Sequence, residues 1–185
     1  MINNLSIDEN LILRVEEVIE QNEFLKISKY FNSLKLNTDH YFDAIKNSKL
    51  EVTILNPFVD AIKKIMLTNL NIRIQLSGFT TTKRKNLPNM HWHKHRKTYQ
   101  LDSEPFNTVH NYICVWYLHE FWEEALGGNL IVGKEESNPY VSIPAIPNSC
   151  VIHSASLYHG VTPYTIKKND KVRTIMYSHW KTINE

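Results

Sequence analysis

What this sequence lacks narrows it first. No apolar run approaches the ~18 residues that a membrane-spanning helix needs. Segment 1–10 is polar and has no apolar stretch of the secretory kind. A cytoplasmic location is therefore expected. Cysteine is scarce: Cys114 and Cys150 are the only two. Each sits in an apolar, strand-like run and reads as a buried thiol rather than as part of a disulfide framework. An excess of one charge is missing too, since 21 Lys and Arg against 19 Asp and Glu leave a net charge of +2. No basic stripe offers itself to nucleic acid, and no Lys/Arg cluster follows a membrane anchor. The one basic run, TTKRK at 81–85, is short and reads as a solvated loop. Internal repeats and low-complexity tracts are absent. The remaining composition, 42% hydrophobic and 22% charged over 185 residues, suits one globular domain with a sizeable core.

The first third, 1–70, reads as mostly helical and packed on the rest of the chain. Ser6 and Glu9 have capping-box spacing, and Leu11, Val15, Val18 and Ile19 recur at helical spacing behind them. A second short helix is expected at 40–46. Asn56 and Pro57 open a third, with Phe58, Val59, Ile62, Ile65 and Met66 as its buried stripe. Beyond Asn71 the pattern turns to short β-branched and aromatic runs between Gly, Pro and Asn signals. Strands are expected at 72–76, 109–118, 129–133, 141–146, 149–153, 158–162 and 172–180. Such a series predicts an all-β sandwich or barrel. Gly127 and Gly128 read as a hairpin turn, and the polar stretch 97–108 as a long loop that either covers a site or lies idle on the surface.

Histidine is the residue in excess. There are nine, and His91, His93 and His95 alternate in MHWHKHR. On a strand, every second side chain points to one face, so these three imidazoles would converge there with Trp92 and Lys94 opposite. Imidazole ligates iron, zinc, copper and nickel through a neutral ring nitrogen. Two ligands from this strand and one from a distant strand would leave open coordination positions, as a catalytic metal needs. The same alternation also occurs on exposed polar strands. The distant partner is His159 in LYHGVTPY, followed fourteen residues later by Arg173 in KVRTIMYSHW. A guanidinium inside a barrel is costly unless an anion meets it, and a carboxylate would meet it with paired hydrogen bonds. An internal Asp or Glu is the plain alternative. The isolated His40, His110 and His179 read as structural or surface residues.

Three runs together resemble a known family: 116–133 (WYLHEFWEEALGGNLIVG), the stretch SIPAIPNSCVIHSASLYHGVTPY, and VRTIMYSHW. They are similar to the iron(II)- and 2-oxoglutarate-dependent oxygenases, nearest to the prolyl-hydroxylase-like subgroup. The family's Tyr-Leu-Asn strand end, Trp and Gly-Gly pair fall on Tyr117, Leu118, Trp122, Gly127 and Gly128, with His119 replacing Asn. The resemblance spans about 89–180, about half of the chain. It implies a mainly β fold with N-terminal helices, a double-stranded β-helix of the jelly-roll or cupin-like kind, occupying 1–185 as a single domain. It implies Fe(II) and 2-oxoglutarate as cofactors, His159 as the distal iron ligand, and Arg173, with Tyr117, as the seat of the cosubstrate's far carboxylate. At the first metal motif this chain departs from the family, which has His-x-Asp or His-x-Glu. With His93 as first ligand, His95 occupies the carboxylate's place; His91 with His93 is the other register, and Asp102 or Glu104 could instead supply the carboxylate.

The expectation is therefore a dioxygenase that hydroxylates an amino acid, a peptide or another small molecule, with no nucleic-acid or membrane partner. Two other classes stay open. One is a three-histidine cupin-type metalloenzyme that does not use 2-oxoglutarate. The other is a non-catalytic ligand-binding barrel. Arg173 is the residue that separates the first reading from both.

Overall fold

A computed structural model describes residues 1–6, 10–34, 42–43, 53–89, 91–93, 111–136, 138–166 and 172–183. Among these described residues, thirteen strands and two long helices follow in the order β1 (Ile2–Asn4), β2 (Ile12–Val15), α1 (Gln21–Ser33), β3 (Phe42–Asp43), α2 (Asn56–Leu70), β4 (Ile74–Arg84), β5 (Asn86–Leu87), β6 (His91–His93), β7 (Tyr112–Tyr117), β8 (Leu130–Gly133), β9 (Val141–Ile143), β10 (Cys150–Ser154), β11 (Tyr158–Val161), β12 (Tyr164–Thr165) and β13 (Arg173–Thr182). Seven strands form one antiparallel sheet in the order β1-β2-β10-β7-β13-β4-β3, and four form a second in the order β6-β11-β8-β9.

Alternation along the central strands divides the apolar residues between two cores. Cys114, Trp116, Cys150, Ile152, Met176 and Trp180 pack outward against Phe24, Ile27 and Phe31 of α1 and Phe58, Ile62 and Met66 of α2. Their neighbours Ile113, Val115, Tyr117, Val151 and Ile175 face inward, onto Leu130, Val132 and Ile143 of the smaller sheet. Phe58 stacks on Trp116 at 4.1 Å with the planes 6° apart. The helices thus brace the back of the large sheet, and the space between the sheets holds the site. Cys114 and Cys150 are both buried and free, as expected. Among the described residues, no helix is long and apolar enough to cross a membrane.

Several sequence expectations need correction. Segment 11–19 is not a helix. Ile12–Val15 is strand β2, paired with β10 on one side and β1 on the other. Its apolar residues go to both cores, Ile12 inward and Leu13 and Val15 outward, which a one-faced helix could not do. Ser6 caps no helix: its hydroxyl donates to Asn4 Oδ1 and accepts from the Ile12 amide, while Glu9 lies outside the described residues. The first helix is α1, whose Phe24, Ile27, Ser28 and Phe31 make the buried stripe. In 40–46 only Phe42–Asp43 is described, and it pairs with β4 as a strand rather than forming a helix. Helix α2 starts as expected with Pro57 in its first turn, but the N-cap is Leu55, not Asn56, and Asn71 closes the other end in the left-handed conformation.

Strand β4 is longer than expected, and most of TTKRK belongs to it. Thr81 to Arg84 pair with β13. Thr81 is buried, and Lys83 donates to the carbonyls of Asn32 and Leu34 at 2.7 and 3.1 Å. The run reads as solvent-facing because the carbonyls that receive its cation come from the end of α1, far away in sequence. Gly127 and Gly128 do not close a hairpin. They come after the 3-10 turn Glu124–Leu126 and lead into β8, with Gly127 bridged to Tyr164. Loop 97–108 lies outside the described residues.

Candidate active site

The site begins with strand pairing. β6 runs antiparallel to β11, and the register sets His93 directly opposite His159 and His91 opposite Val161. Side chains on opposed residues of neighbouring strands share a face, and the rings of His93 and His159 lie 4.1 Å apart, edge to face. His159 is buried and His93 is half-buried. His91 has its backbone in β6, one alternation step further along. His95, Asp102 and Glu104 lie outside the described residues, as do His40 and His110. Among the described residues, no group of three His, Cys, Asp or Glu side chains is placed to hold a metal ion. Two imidazoles therefore face each other among the described residues. This donor pair fits a divalent metal that keeps open positions.

A third imidazole stands beside them that sequence reasoning missed. His153, on β10 of the large sheet, is fully buried, and its ring is 4.7 Å from that of His159. By alternation it shares the inward face of Val151, so it meets His159 across the gap between the sheets. Burial, and the positive charge His93 takes on when protonated, hold its pKa down at about 4, so it is neutral at neutral pH. In sequence it is one more histidine at the end of an apolar run, and only the closure of the sheets gives it a neighbour.

Arg173 starts β13 and reaches into the same space. It is 3% exposed, and Nη2 donates to the Gly128 carbonyl at 2.8 Å. Three aromatic rings surround the guanidinium, those of Tyr164 at 5.2 Å and of Tyr117 and Trp122 at 5.6 Å. Rings at this distance stabilise a cation through their quadrupoles, yet they do not neutralise it. Among the described residues Arg173 forms no salt bridge, and its Nε has no hydrogen-bond partner. The internal Asp or Glu that would make Arg173 merely structural is not found there. The Tyr117 hydroxyl is likewise buried without a partner, and burial raises its pKa despite the nearby Arg173 charge. A buried cation, a spare guanidinium N–H and a phenol that can donate are the chemistry of a carboxylate seat.

The Gly-Gly pair lies against the Arg173 cage. Gly127 and Gly128 have φ of +74° and +72°, and a Cβ on Gly128 would stand 2.6 Å from the Trp122 ring. The Trp122 indole N–H donates to the Gly127 carbonyl at 3.0 Å. Tyr164 belongs to the seat too, and sequence reasoning assigned it no part, although it ends the HGVTPY segment. Burial raises its pKa, and Arg173 opposes the shift through charge and a hydrogen bond. His119, in the place of the family's Asn, lies behind Tyr117 and Trp122, its ring 5.8 and 5.0 Å from theirs. Its Nε2 is 2.7 Å from the Ala145 carbonyl and its Nδ1 3.3 Å from that of Thr174. A neutral imidazole has one N–H, so only one carbonyl is served. Burial and the Arg173 charge keep it neutral, with a pKa of about 4.

No family model matches the chain, and no curated protein does. Solved structures do. An oxidoreductase of the 2OG-Fe(II) oxygenase family from Burkholderia pseudomallei is 12% identical, with a TM-score of 0.63 over 93% of this chain and 84% of its own. HygX from Streptomyces hygroscopicus, with nickel and 2-oxoglutarate bound, is 11% identical, with a TM-score of 0.62 over 91% of this chain and 81% of its own. A Trichoplax adhaerens prolyl hydroxylase, in complex with a peptide fragment of the hypoxia inducible factor oxygen degradation domain, is 13% identical, with a TM-score of 0.58 over 91% and 82%. What these likenesses establish is a shared, mainly β fold.

Proposed function

We propose that this chain is an iron(II)- and 2-oxoglutarate-dependent oxygenase on a double-stranded β-helix, one that hydroxylates an amino acid, a peptide or another small substrate. Arg173 carries the reading: a buried cation in an aromatic cage, without a described acid, on the inner face of the large sheet, opposite the smaller sheet that carries a pair of opposed histidines. 2-Oxoglutarate supplies the missing charge, and His93 and His159 supply two of the metal's ligands. The fold shared with HygX and the Burkholderia enzyme supports the same assignment.

In this reading His95 is the third ligand, standing where the family has a carboxylate. His91 with His93 is the competing register, and Asp102 or Glu104 the competing carboxylate. Iron held by His93, His159 and the third ligand would supply oxygen activation, with one atom of O2 going to succinate, the other into the substrate C–H bond, and CO2 released from 2-oxoglutarate. The protein's own part is placement. Arg173 and Tyr117 anchor the far carboxylate, Trp122 and Tyr164 wall the cage, and the apolar lining of Val115, Val151 and Ile175 keeps water away. The peptide bound by the Trichoplax relative makes a peptide segment one substrate class to try first.

The test is consumption of 2-oxoglutarate by the purified chain. We expect conversion to succinate that requires both Fe(II) and O2 and that His159→Ala abolishes. Metal-dependent turnover of some other substrate, with 2-oxoglutarate untouched, would instead favour a three-histidine cupin-type enzyme.

A further inference from the structure

We propose that His153 is a positioning residue for the metal ligand His159, holding its ring by accepting a hydrogen bond from the ring N–H that faces away from the metal. The proposal rests on the metal-site reading above and adds to it a residue from the opposite sheet.

A backbone contact fixes the His153 tautomer. Its Nδ1 lies 3.0 Å from the Ser154 carbonyl oxygen. A carbonyl can only accept, so Nδ1 carries the proton and Nε2 carries the lone pair. That Nε2 is buried and has no hydrogen-bond partner among the described residues. A buried acceptor left unmatched is costly. The polar ring next to it is that of His159, 4.7 Å away between centroids with the planes at 51°. The terminal torsion of a histidine is soft, so a turn of the His159 ring would bring its N–H toward this lone pair while the His153 Nδ1 contact with Ser154 stays in place.

The needs of the two rings are complementary. A ligand imidazole gives one nitrogen to the metal and must keep the proton on the other, and that N–H is ordinarily held by a carboxylate, a carbonyl or a water. Here a neutral imidazole takes the role. The Ser154 carbonyl, the His153 ring and the His159 ring then form one polarised chain, from the backbone of β10 to the metal, without added charge. In a site whose first motif reads His-x-His, this keeps every described donor neutral. It also ties the smaller sheet to the larger one at the level of the metal.

The test uses Co(II) and Fe(II) binding to the whole chain, with 15N NMR of the histidine rings in the metal-free protein. His153→Phe keeps the ring volume and removes the acceptor. We expect it to weaken Co(II) and Fe(II) binding about 10- to 100-fold, the usual cost of losing such a partner, with an unchanged far-ultraviolet circular dichroism spectrum. His153→Gln puts an amide oxygen near the position of Nε2 and should recover most of the loss. Metal-free wild-type protein should show His153 protonated on Nδ1. Wild-type affinity in His153→Phe would overturn the proposal, as would equal losses in the Phe and Gln variants, or a proton on Nε2 in the NMR spectrum should His153→Phe fail to fold. If wild-type protein binds metal no better than His159→Ala, the metal site itself is refuted; if it binds and is indifferent to residue 153, only this proposal falls.

Discussion

At the scale of single residues, the site divides into side chains that motif spacing reveals and side chains that only contact reveals. His93, His159, Arg173 and Tyr117 belong to the first group. Their order along the chain matches a family pattern, and the structure puts His93 against His159 and Arg173 against Tyr117. His153 and Tyr164 belong to the second. Their ring neighbours at the site, His159 for His153 and Trp122 and Arg173 for Tyr164, are set by how the strands pack and not by any motif spacing. The metal ligands yield a direct prediction. Iron content should fall to background in His159→Ala and His95→Ala, stay near wild type in His91→Ala, and survive in His95→Asp, which installs the two-histidine, one-carboxylate set. Elemental analysis of the purified variants decides. Wild-type iron in His95→Ala would move the third ligand to His91, Asp102 or Glu104.

His119 gives a prediction in pH. Its folded pKa, about 4, lies below the ordinary 6.5. The unfolded chain therefore binds the proton first as pH falls, and stability drops through the window between those values. The expected loss from this residue between about pH 7 and about pH 4.5 is on the order of 2 kcal/mol. His119→Asn removes the titrating group, so its urea midpoint should fall less steeply over the same range. Parallel pH profiles for the two proteins would show that His119 does not titrate in this way.

At the scale of elements, the strands from β7 onward were legible except the two-residue β12, and much of the N-terminal third was not. Short runs of β-branched and aromatic residues announce β7, β8, β10, β11 and β13, whose ends lie within a few residues of expectation. Segment 11–19 misled because Leu11, Val15, Val18 and Ile19 are spaced as on a helix, while Ile12 and Leu13 between them are buried on opposite sides of a sheet. Pairing with β10 overrode the local pattern. Helix α1 lacks a side-chain cap, so its start carried no signal. The Gly127-Gly128 element was recognised as a turn, but not as lying against the Arg173 cage. Gly128→Ala tests that role. The new methyl meets the Trp122 ring, and the residue must hold a positive φ, so a stability loss of roughly 1–3 kcal/mol is expected. Because the Gly128 carbonyl also accepts from Arg173, affinity for 2-oxoglutarate should fall in the folded variant. Retention of both wild-type stability and wild-type affinity would show that this turn does not support the seat.

At the scale of the whole molecule, the large sheet has two jobs. Its outer face is sealed by α1 and α2 around Trp116, and its inner face meets the smaller sheet around the site. Ser28 of α1 donates to the Leu118 carbonyl at 2.6 Å, and Thr174 donates to Asn32 of α1 at the same distance. The helix is thus fastened to the ends of β7 and β13, next to Tyr117 and Arg173. Bracing of this kind keeps the buried Arg173 cation in place. The central claim is that Arg173 waits for 2-oxoglutarate, and anaerobic calorimetric titration of 2-oxoglutarate into Fe(II)-loaded protein tests it most directly. Truncating one partner of a buried, charge-assisted pair costs roughly 2–5 kcal/mol, so Arg173→Ala should weaken binding at least about tenfold while iron content is unchanged. A dissociation constant equal to that of wild type, or a wild-type protein that binds iron and ignores 2-oxoglutarate, would contradict it.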